Sequence, residues 1–540
     1  MHLVFLNQYY PPDAAPTGVM LEAVVERLAE QGHEVTVICA QGGYAGGERK
    51  EVIGDQSSVL GEENCSGASP TVAFSSDFQP VPLHHQPSTL NHQLSPTSQL
   101  IHILRVPATQ FGRGSAIHKL IDYASFYLMV AWKLAMLRPR PDRVVALTTP
   151  PYLSVLTRLI SKFQGADHAH WVMDLYPDVM VAHGMLSEGS WKHRLLAGIA
   201  GWGFGGKRCK TVLTLGPDMA ERVARVICSG VSATVASSSA SQTLHHQPST
   251  LPPARPSCDS VGEYEVAVAT VAFNSQLSPD PQFPTVQWVP LWGGDSERVV
   301  GKQYSTGSAS VASSSDSQPS SFPDHQHSTL NSQLSSTLRA QRGWHDGELV
   351  VMYSGNMGLG HRFGEFLEAS LQSCSGTSAT VADISDSNDQ PIRFVFYGGG
   401  KRRVEIENFI SQHPDCRVEL HDYAPAEELS AHLLSADVHL ASLDAAWSGT
   451  MVPSKLQGIF AVGRPVIFVG CSQSSIGRWV TESGGGWVVE PGDVSGLLAA
   501  LGEARDREIR NARGQTAGQF AASHFDKATN ARRVAAIFTR

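Results

Sequence analysis

Lys455, with Ser454 before it, and the glycines at 355, 358 and 360 are the residues of this 540-residue chain whose types and spacing could do chemistry. Val350-Val-Met-Tyr-Ser-Gly-Asn-Met-Gly-Leu-Gly360 is a β-rich apolar run that feeds glycines, and a helical pattern over 363–371 follows. Such a strand, turn and helix start turns backbone N–H groups and a positive helix end toward an anion, usually a phosphate. The same glycines also serve packing alone in many α/β turns. Val452-Pro-Ser-Lys-Leu456 opens a second helical segment that ends at Gly463, and Pro465 introduces another apolar strand, so a lysine stands near a second helix N-terminus. Two such termini on neighbouring strands converge at the carboxyl edge of a parallel sheet, where open α/β sheets bind ligands.

The elements that would position these residues alternate between strand and helix. Apolar strands are expected at 3–6, 35–38, 144–147, 169–173 and 211–215, and again at 349–353, 393–397, 418–420, 438–441, 465–469 and 486–489. Over 19–28, Met20, Val24 and Leu28 share one helix face and Glu22, Glu26 and Arg27 the other, with Gly32 closing the helix. Another helical stretch covers 153–163. This alternation predicts an α/β protein of two doubly wound, Rossmann-like parallel-sheet domains, with the crossing between them near 285–300.

Globular segments alternate with low-complexity ones that copy each other. Cys65-Ser-Gly-Ala-Ser-Pro-Thr-Val-Ala, Cys228-Ser-Gly-Val-Ser-Ala-Thr-Val-Ala and Cys374-Ser-Gly-Thr-Ser-Ala-Thr-Val-Ala are near duplicates, and His84-His-Gln-Pro-Ser-Thr-Leu recurs from His245. These copies are Ser/Pro/Gln-rich and lack apolar periodicity, so they predict disordered inserts at 56–100, 229–284, 303–337 and 373–390 rather than solenoid repeats. Removing about 155 residues leaves about 385, enough for two domains. The His84-His85 and His245-His246 pairs read as repeat drift rather than metal tracts, because no ordered partners accompany them.

Net charge is −9 and 42% of residues are hydrophobic, so no global basic field suggests a nucleic-acid partner. Eight cysteines are scattered without Cys-x-x-Cys spacing, which reads as reduced thiols of a cytoplasmic protein. The amino terminus lacks a basic lead-in, and Tyr9-Tyr-Pro-Pro breaks its apolar run, so no signal peptide is expected. Residues 123–137 form the most apolar helical run, but Lys133 interrupts it and it is shorter than the roughly 20 residues a bilayer requires. Seven Arg or Lys stand against Asp122 and Asp142 over 101–143. That helix, and the one beginning Trp191-Lys-His-Arg, could lie on anionic lipid at the inner face of the cytoplasmic membrane, or could be core helices with solvated basic ends.

Tyr-Ser-Gly-Asn-Met-Gly, Pro-Ser-Lys-Leu and Gly-Arg-Pro-Val resemble the carboxyl-terminal half of family 4 glycosyltransferases, which have the GT-B fold. They are most similar to the subgroup that builds capsule, O-antigen and exopolysaccharide repeats and includes the fucosamine transferases. Leu3-Val-Phe-Leu-Asn-Gln-Tyr-Tyr-Pro-Pro-Asp13, Pro16-Thr-Gly18, Gly32-His-Glu-Val-Thr-Val-Ile38 and Trp171-Val-Met-Asp-Leu-Tyr-Pro-Asp178 match the other half in order. The resemblance implies an acceptor-side domain over 1–227 and a nucleotide-sugar domain over 285–515, separated by the insert at 228–284. Residues 516–540 would form a helix returning to the first domain.

The implied chemistry is transfer, with retention, of a hexosyl or N-acetylhexosaminyl group from a nucleotide-diphosphate sugar, of the UDP class, to a saccharide or polyprenyl-diphosphate-linked acceptor. The resemblance puts Gly355, Asn356, Gly358, Gly360, His361, Arg362, Gly398, Gly399, Ser454, Lys455 and Leu456 around the donor, and Gly18, Asp174 and Asp178 on the acceptor side. Asp174 and Lys455 are the catalytic candidates, Asp174 either acting on the acceptor or reaction centre or capping the turn before Pro177. Asn356 and His361 stand where many relatives have arginine and lysine. The family's Glu-x7-Glu pair falls on Thr450 and Gly458, which leaves its sugar contacts unassigned. With no Asp-x-Asp, no metal and no other cofactor is expected. A nucleotide-sugar epimerase of the same fold and a degenerate nucleotide-sugar-binding protein are the competing readings.

Overall fold

A computed structural model of the chain describes residues 1–41, 99–109, 116–235, 284–292, 324–375 and 390–540 together with Phe111, apart from residues 14, 346, 426 and 427. Most of the residues expected to be inserts lie outside these. Among the described residues the strands form two parallel sheets. The first contains β1 (His2–Leu6), β2 (Glu34–Gln41), β3 (Ile101–Pro107), β4 (Arg143–Leu147), β5 (Asp167–Trp171), β6 (Cys209–Thr214) and β7 (Thr285–Trp288), in the order β3-β2-β1-β4-β5-β6-β7. The second contains β8 (Leu349–Ser354), β9 (Ile392–Tyr397), β10 (Val418–His421), β11 (Val438–Ser442), β12 (Val466–Val469) and β13 (Gly486–Val489), in the order β10-β9-β8-β11-β12-β13. Strand order reverses beside β1 in one sheet and beside β8 in the other, which opens a crevice at each carboxyl edge.

The continuous apolar runs of β1, β4 and β11 follow from burial on both faces; every residue of the three is buried. Pro16 starts α1 (Pro16–Glu30), whose buried face carries Met20, Leu21, Val24 and Leu28. Gly165, in the left-handed conformation, ends α3 (Leu153–Gln164). The long α2 (Ala116–Met136) packs on α3 and β3, burying Phe126, Val130 and Leu134.

Three segments differ from expectation. Thr285–Trp288 pairs with β6 and is the edge strand of the first sheet, not the start of the second domain. Ile101–Pro107 is a strand, although its mixed polarity gave no apolar run. Within the expected insert 303–337, residues from 324 on belong to a helix, Asp324–Gln341. Arg339 anchors its end, donating to Asp437 at 2.8 Å and to the Glu348 carbonyl at 3.0 Å.

The chain then returns. After the helix Arg507–His524, Asp526 caps the last helix, Lys527–Thr539, which lies against α1. Phe538 is fully buried and meets Phe5 edge-on at 5.8 Å and Trp171 at 6.0 Å. Arg143 donates to the Phe538 carbonyl and, at 3.1 Å, to the Arg540 carbonyl. One apolar cluster therefore runs from the first sheet through this helix to Phe460 and Trp479 of the second domain.

Candidate active site

A cleft of about 940 Å³ separates the carboxyl edges of the two sheets. From the second domain it is lined by Ser354, Gly355, Asn356, His361, Ser454, Lys455 and Gly458, and from the first by Thr17, Thr148, Asp174 and Tyr176. Lys455 is the first residue of the short helix Lys455–Ala461, and its side chain runs back toward the turn after β8. Nζ lies 3.0 Å from His361 Nε2, 3.4 Å from the Asn356 carbonyl and 5.1 Å from the Tyr353 ring centre. Burial of the ammonium lowers its pKa to about 7.

His361 is held for this contact. Its Nδ1 lies 2.7 Å from the Ser442 carbonyl and so carries the proton, leaving the Nε2 lone pair to accept from Lys455. Burial, and then the Lys455 charge, push its pKa to about 3, so the ring is neutral. Gly355 has φ +133°, and a Cβ there would stand 2.7 Å from Lys455 Cε. At Gly398, φ +128°, a Cβ would meet the Gly355 carbonyl oxygen at 2.1 Å. These two glycines let the ends of β8 and β9 pack together while the lysine crosses above them.

Asp174 follows β5 and joins the domains through an isolated antiparallel bridge to Met451. Its backbone N–H donates to Thr148 Oγ1 at 3.2 Å, and the next N–H, of Leu175, donates to the Thr450 carbonyl at 2.9 Å. Burial raises the Asp174 carboxyl to about 6. A half-buried carboxyl and a half-buried ammonium thus line one cleft from opposite domains, an arrangement that can place a proton-accepting group across from an anion site.

The other sequence candidates divide. Gly399 and Gly398 touch Tyr423, whose hydroxyl donates to the Gly399 carbonyl at 3.0 Å; Tyr423 lines the cleft. Gly358 and Gly360 shape the turn without lining the cleft, Gly360 lying against Trp447. Arg362 faces away, its guanidinium bound to Glu365 at 2.5 Å and Asp444 at 3.1 Å, so the carboxylates beside it occupy the charge expected for the donor. Leu456 is fully buried in the core. Asp178 pairs with Arg222 at 3.2 Å, and Gly18 packs on the Tyr9 and Tyr10 backbone behind the cleft wall. Thr450 is buried and Gly458 lines the cleft, so neither of the positions aligned with the glutamate pair brings a carboxylate there.

Sequence reasoning missed Thr148, Tyr176 and Asp218. Thr148 was signalled by Thr148-Thr-Pro-Pro151 at the end of a strand, the same edge that carries Asp174. Asp218, near the start of the helix Pro217–Val235, reaches the second domain: its Oδ2 accepts from the N–H of Gly449 at 3.0 Å and of Ser475 at 3.1 Å, and its Oδ1 meets Ser475 Oγ. Arg478 and Glu221 pair beside it at 3.1 Å. These contacts hold the cleft in its present width.

Residues 375–506 match the family described as Glycosyl transferases group 1. The putative colanic acid biosynthesis glycosyl transferase WcaI of Escherichia coli K12 is 22% identical over 93% of this chain and 92% of its own. Among solved structures, the Anabaena protein HepE in complex with UDP covers all of both chains at TM-score 0.52 and 10% identity. The trehalose-6-phosphate phosphatase N-terminal domain of Candida albicans covers 100% of this chain and 96% of its own at TM-score 0.55 and 12% identity. Two facing parallel-sheet domains and a return helix give this chain the GT-B fold, and the group 1 match over residues 375–506 together with the likeness to WcaI makes it similar to glycosyltransferases.

Proposed function

We propose that the chain transfers a hexosyl or N-acetylhexosaminyl group from a nucleotide-diphosphate sugar of the UDP class to a saccharide or polyprenyl-diphosphate-linked saccharide in cell-surface polysaccharide biosynthesis. The observation that carries this reading is Lys455, whose hydrogen bonds go to His361 and Asn356 and not to a carboxylate. Rupture of the anomeric bond leaves charge on the diphosphate, and a partly desolvated ammonium beside the turn at Gly355 stabilises that charge as it grows. Ser454 stands beside it on the cleft wall. Asp174 receives or orients the acceptor hydroxyl, or stabilises the oxocarbenium-like centre, from the opposite wall. Lys455 supplies charge that a metal clamp supplies elsewhere, so transfer is proposed to need no metal. Retention is carried over from the resemblance to family 4.

The UDP bound to HepE and the colanic acid named for WcaI support the donor and pathway classes. Among the described residues no helix is long and apolar enough to cross a membrane. Yet α2 exposes Ile117, Leu120, Leu128 and Trp132, and the helix Trp191–Phe204 exposes Trp191 and Leu195, with Lys119, Lys133, Lys192 and Arg194 among them. Apolar side chains flanked by cations suit an anionic bilayer surface, and we propose peripheral attachment there. The test is binding of UDP, GDP and their sugars by calorimetry, followed by transfer to a polyprenyl-diphosphate-linked acceptor on anionic vesicles. Tight UDP-sugar binding without any acceptor-dependent transfer would overturn the reading.

A further inference from the structure

We propose that His168, His170 and Cys209 bind one zinc-class transition-metal ion within the first domain, as a structural centre that takes no part in sugar transfer. The period-two geometry of β5 puts both imidazoles on the same sheet face, and the parallel register sets Cys209 at the start of β6 opposite His168. All three are buried, and their ligand atoms lie within 4.8 Å of one another. His168 Nδ1 and His170 Nε2 are 3.0 Å apart, close to the roughly 3.3 Å that two nitrogens take around a tetrahedral zinc with bonds near 2.0–2.1 Å.

β4 fills the paired positions with Val144 and Ala146, whereas β5 and β6 bury two imidazoles, whose facing nitrogens lie within hydrogen-bond distance of each other, and a thiol, which is expensive without further partners. His170 lies within reach of the Gly203 backbone, but its Nδ1 makes no well-formed hydrogen bond to protein. Beside it lies a cavity of about 20 Å³, shared with Tyr152, whose hydroxyl is also unpaired. That volume holds one water, which can bridge the His170 Nδ1 proton to Tyr152. Two nitrogens and a sulfur are the donor set of zinc and cobalt, not of magnesium or calcium. On binding, the Cys209 proton leaves as the thiolate–metal bond forms. The imidazoles ligate neutral, through Nδ1 of His168 and Nε2 of His170, with their protons on the opposite nitrogens. Arg158, which stacks on Trp202 at 4.1 Å, faces the same cluster, and the thiolate offsets part of the charge the metal adds.

The experiment is a Co²⁺ titration of the full chain after dialysis against a chelator. The expected result is one cobalt per chain with a thiolate-to-cobalt charge-transfer absorption, abolished by equimolar Zn²⁺ and missing in Cys209→Ser. Exposed histidines elsewhere can hold cobalt but cannot give that band. Should Cys209→Ser not fold, the wild type alone decides: Zn²⁺ must raise its melting temperature, and chelator must lower it again. A wild type that shows no thiolate band, or a band that persists in folded Cys209→Ser, overturns the proposal.

Discussion

Replacing Lys455 with methionine removes a charge while keeping most of the stem, and the structure gives the consequence a sign. Burial lowers the Lys455 pKa from 10.5 to about 7. At about 1.4 kcal/mol per tenfold change in proton affinity, that shift corresponds to some 4–5 kcal/mol as an upper figure. The residue is partly exposed, so water screens the charge, and we take about 2 kcal/mol. Below pH 7 the folded protein holds a half-buried ammonium and carries the whole of this screened penalty. As pH rises through 7 the folded state releases the proton while the unfolded chain keeps it up to about 10.5, so wild-type stability climbs with pH across that window. Unliganded Lys455→Met should therefore exceed wild type by about 2 kcal/mol near pH 6 in urea unfolding, with the gap closing toward pH 9. The same variant should bind UDP far more weakly. Wild type should take up a proton on binding UDP at pH 8, seen as a dependence of calorimetric heat on buffer ionisation enthalpy, and Lys455→Met should not. A less stable Lys455→Met, or a gap that is flat with pH, would show that the ammonium is not desolvated.

Other substitutions separate the remaining parts. Asp174→Asn should lower kcat by about 10²–10⁴ with donor affinity retained; because burial raises the carboxyl to about 6, wild-type kcat should fall as pH drops through 6, which a pH–rate profile reads. Asp218→Asn weakens charge-assisted bonds to Gly449 and Ser475, each of about 1.5–3 kcal/mol, and should widen the cleft, raising donor KM and the radius of gyration in solution scattering. Phe538→Ala should cost about 3–5 kcal/mol by emptying the space between Phe5 and Trp171, measured by chemical unfolding.

The sequence carried the parts of the fold and site that are local. Most strands of both sheets were readable because apolar runs bounded by turns need no partner to be recognised. Gly355, Ser454 and Lys455 stood out because glycine turns and helix starts at strand ends are short-range patterns. Ile101–Pro107 was missed because an edge strand with exposed residues lacks the apolar run, and nothing in four residues at 285–288 says which sheet they join. The helix Asp324–Gln341 is Ser/Gln-rich and gains its place from the long-range bonds of Arg339 and from packing on the helix Leu429–Leu434. The positive charge of Arg362 is visible in sequence, but its pairing with Asp444, far along the chain, is not. Asp218 was passed over for the same reason, since its partners lie in the other domain.

A sugar moved in this cleft leaves its diphosphate on Lys455. The most direct measurement is release of nucleotide diphosphate from labelled UDP-sugars, with and without a polyprenyl-diphosphate-linked acceptor and in the presence of a chelator, for wild type and Lys455→Ala. Release should depend on acceptor, be matched by label on the acceptor, and be lost in Lys455→Ala. An isomerised donor formed without acceptor, or donor binding with no release under any acceptor, would contradict it.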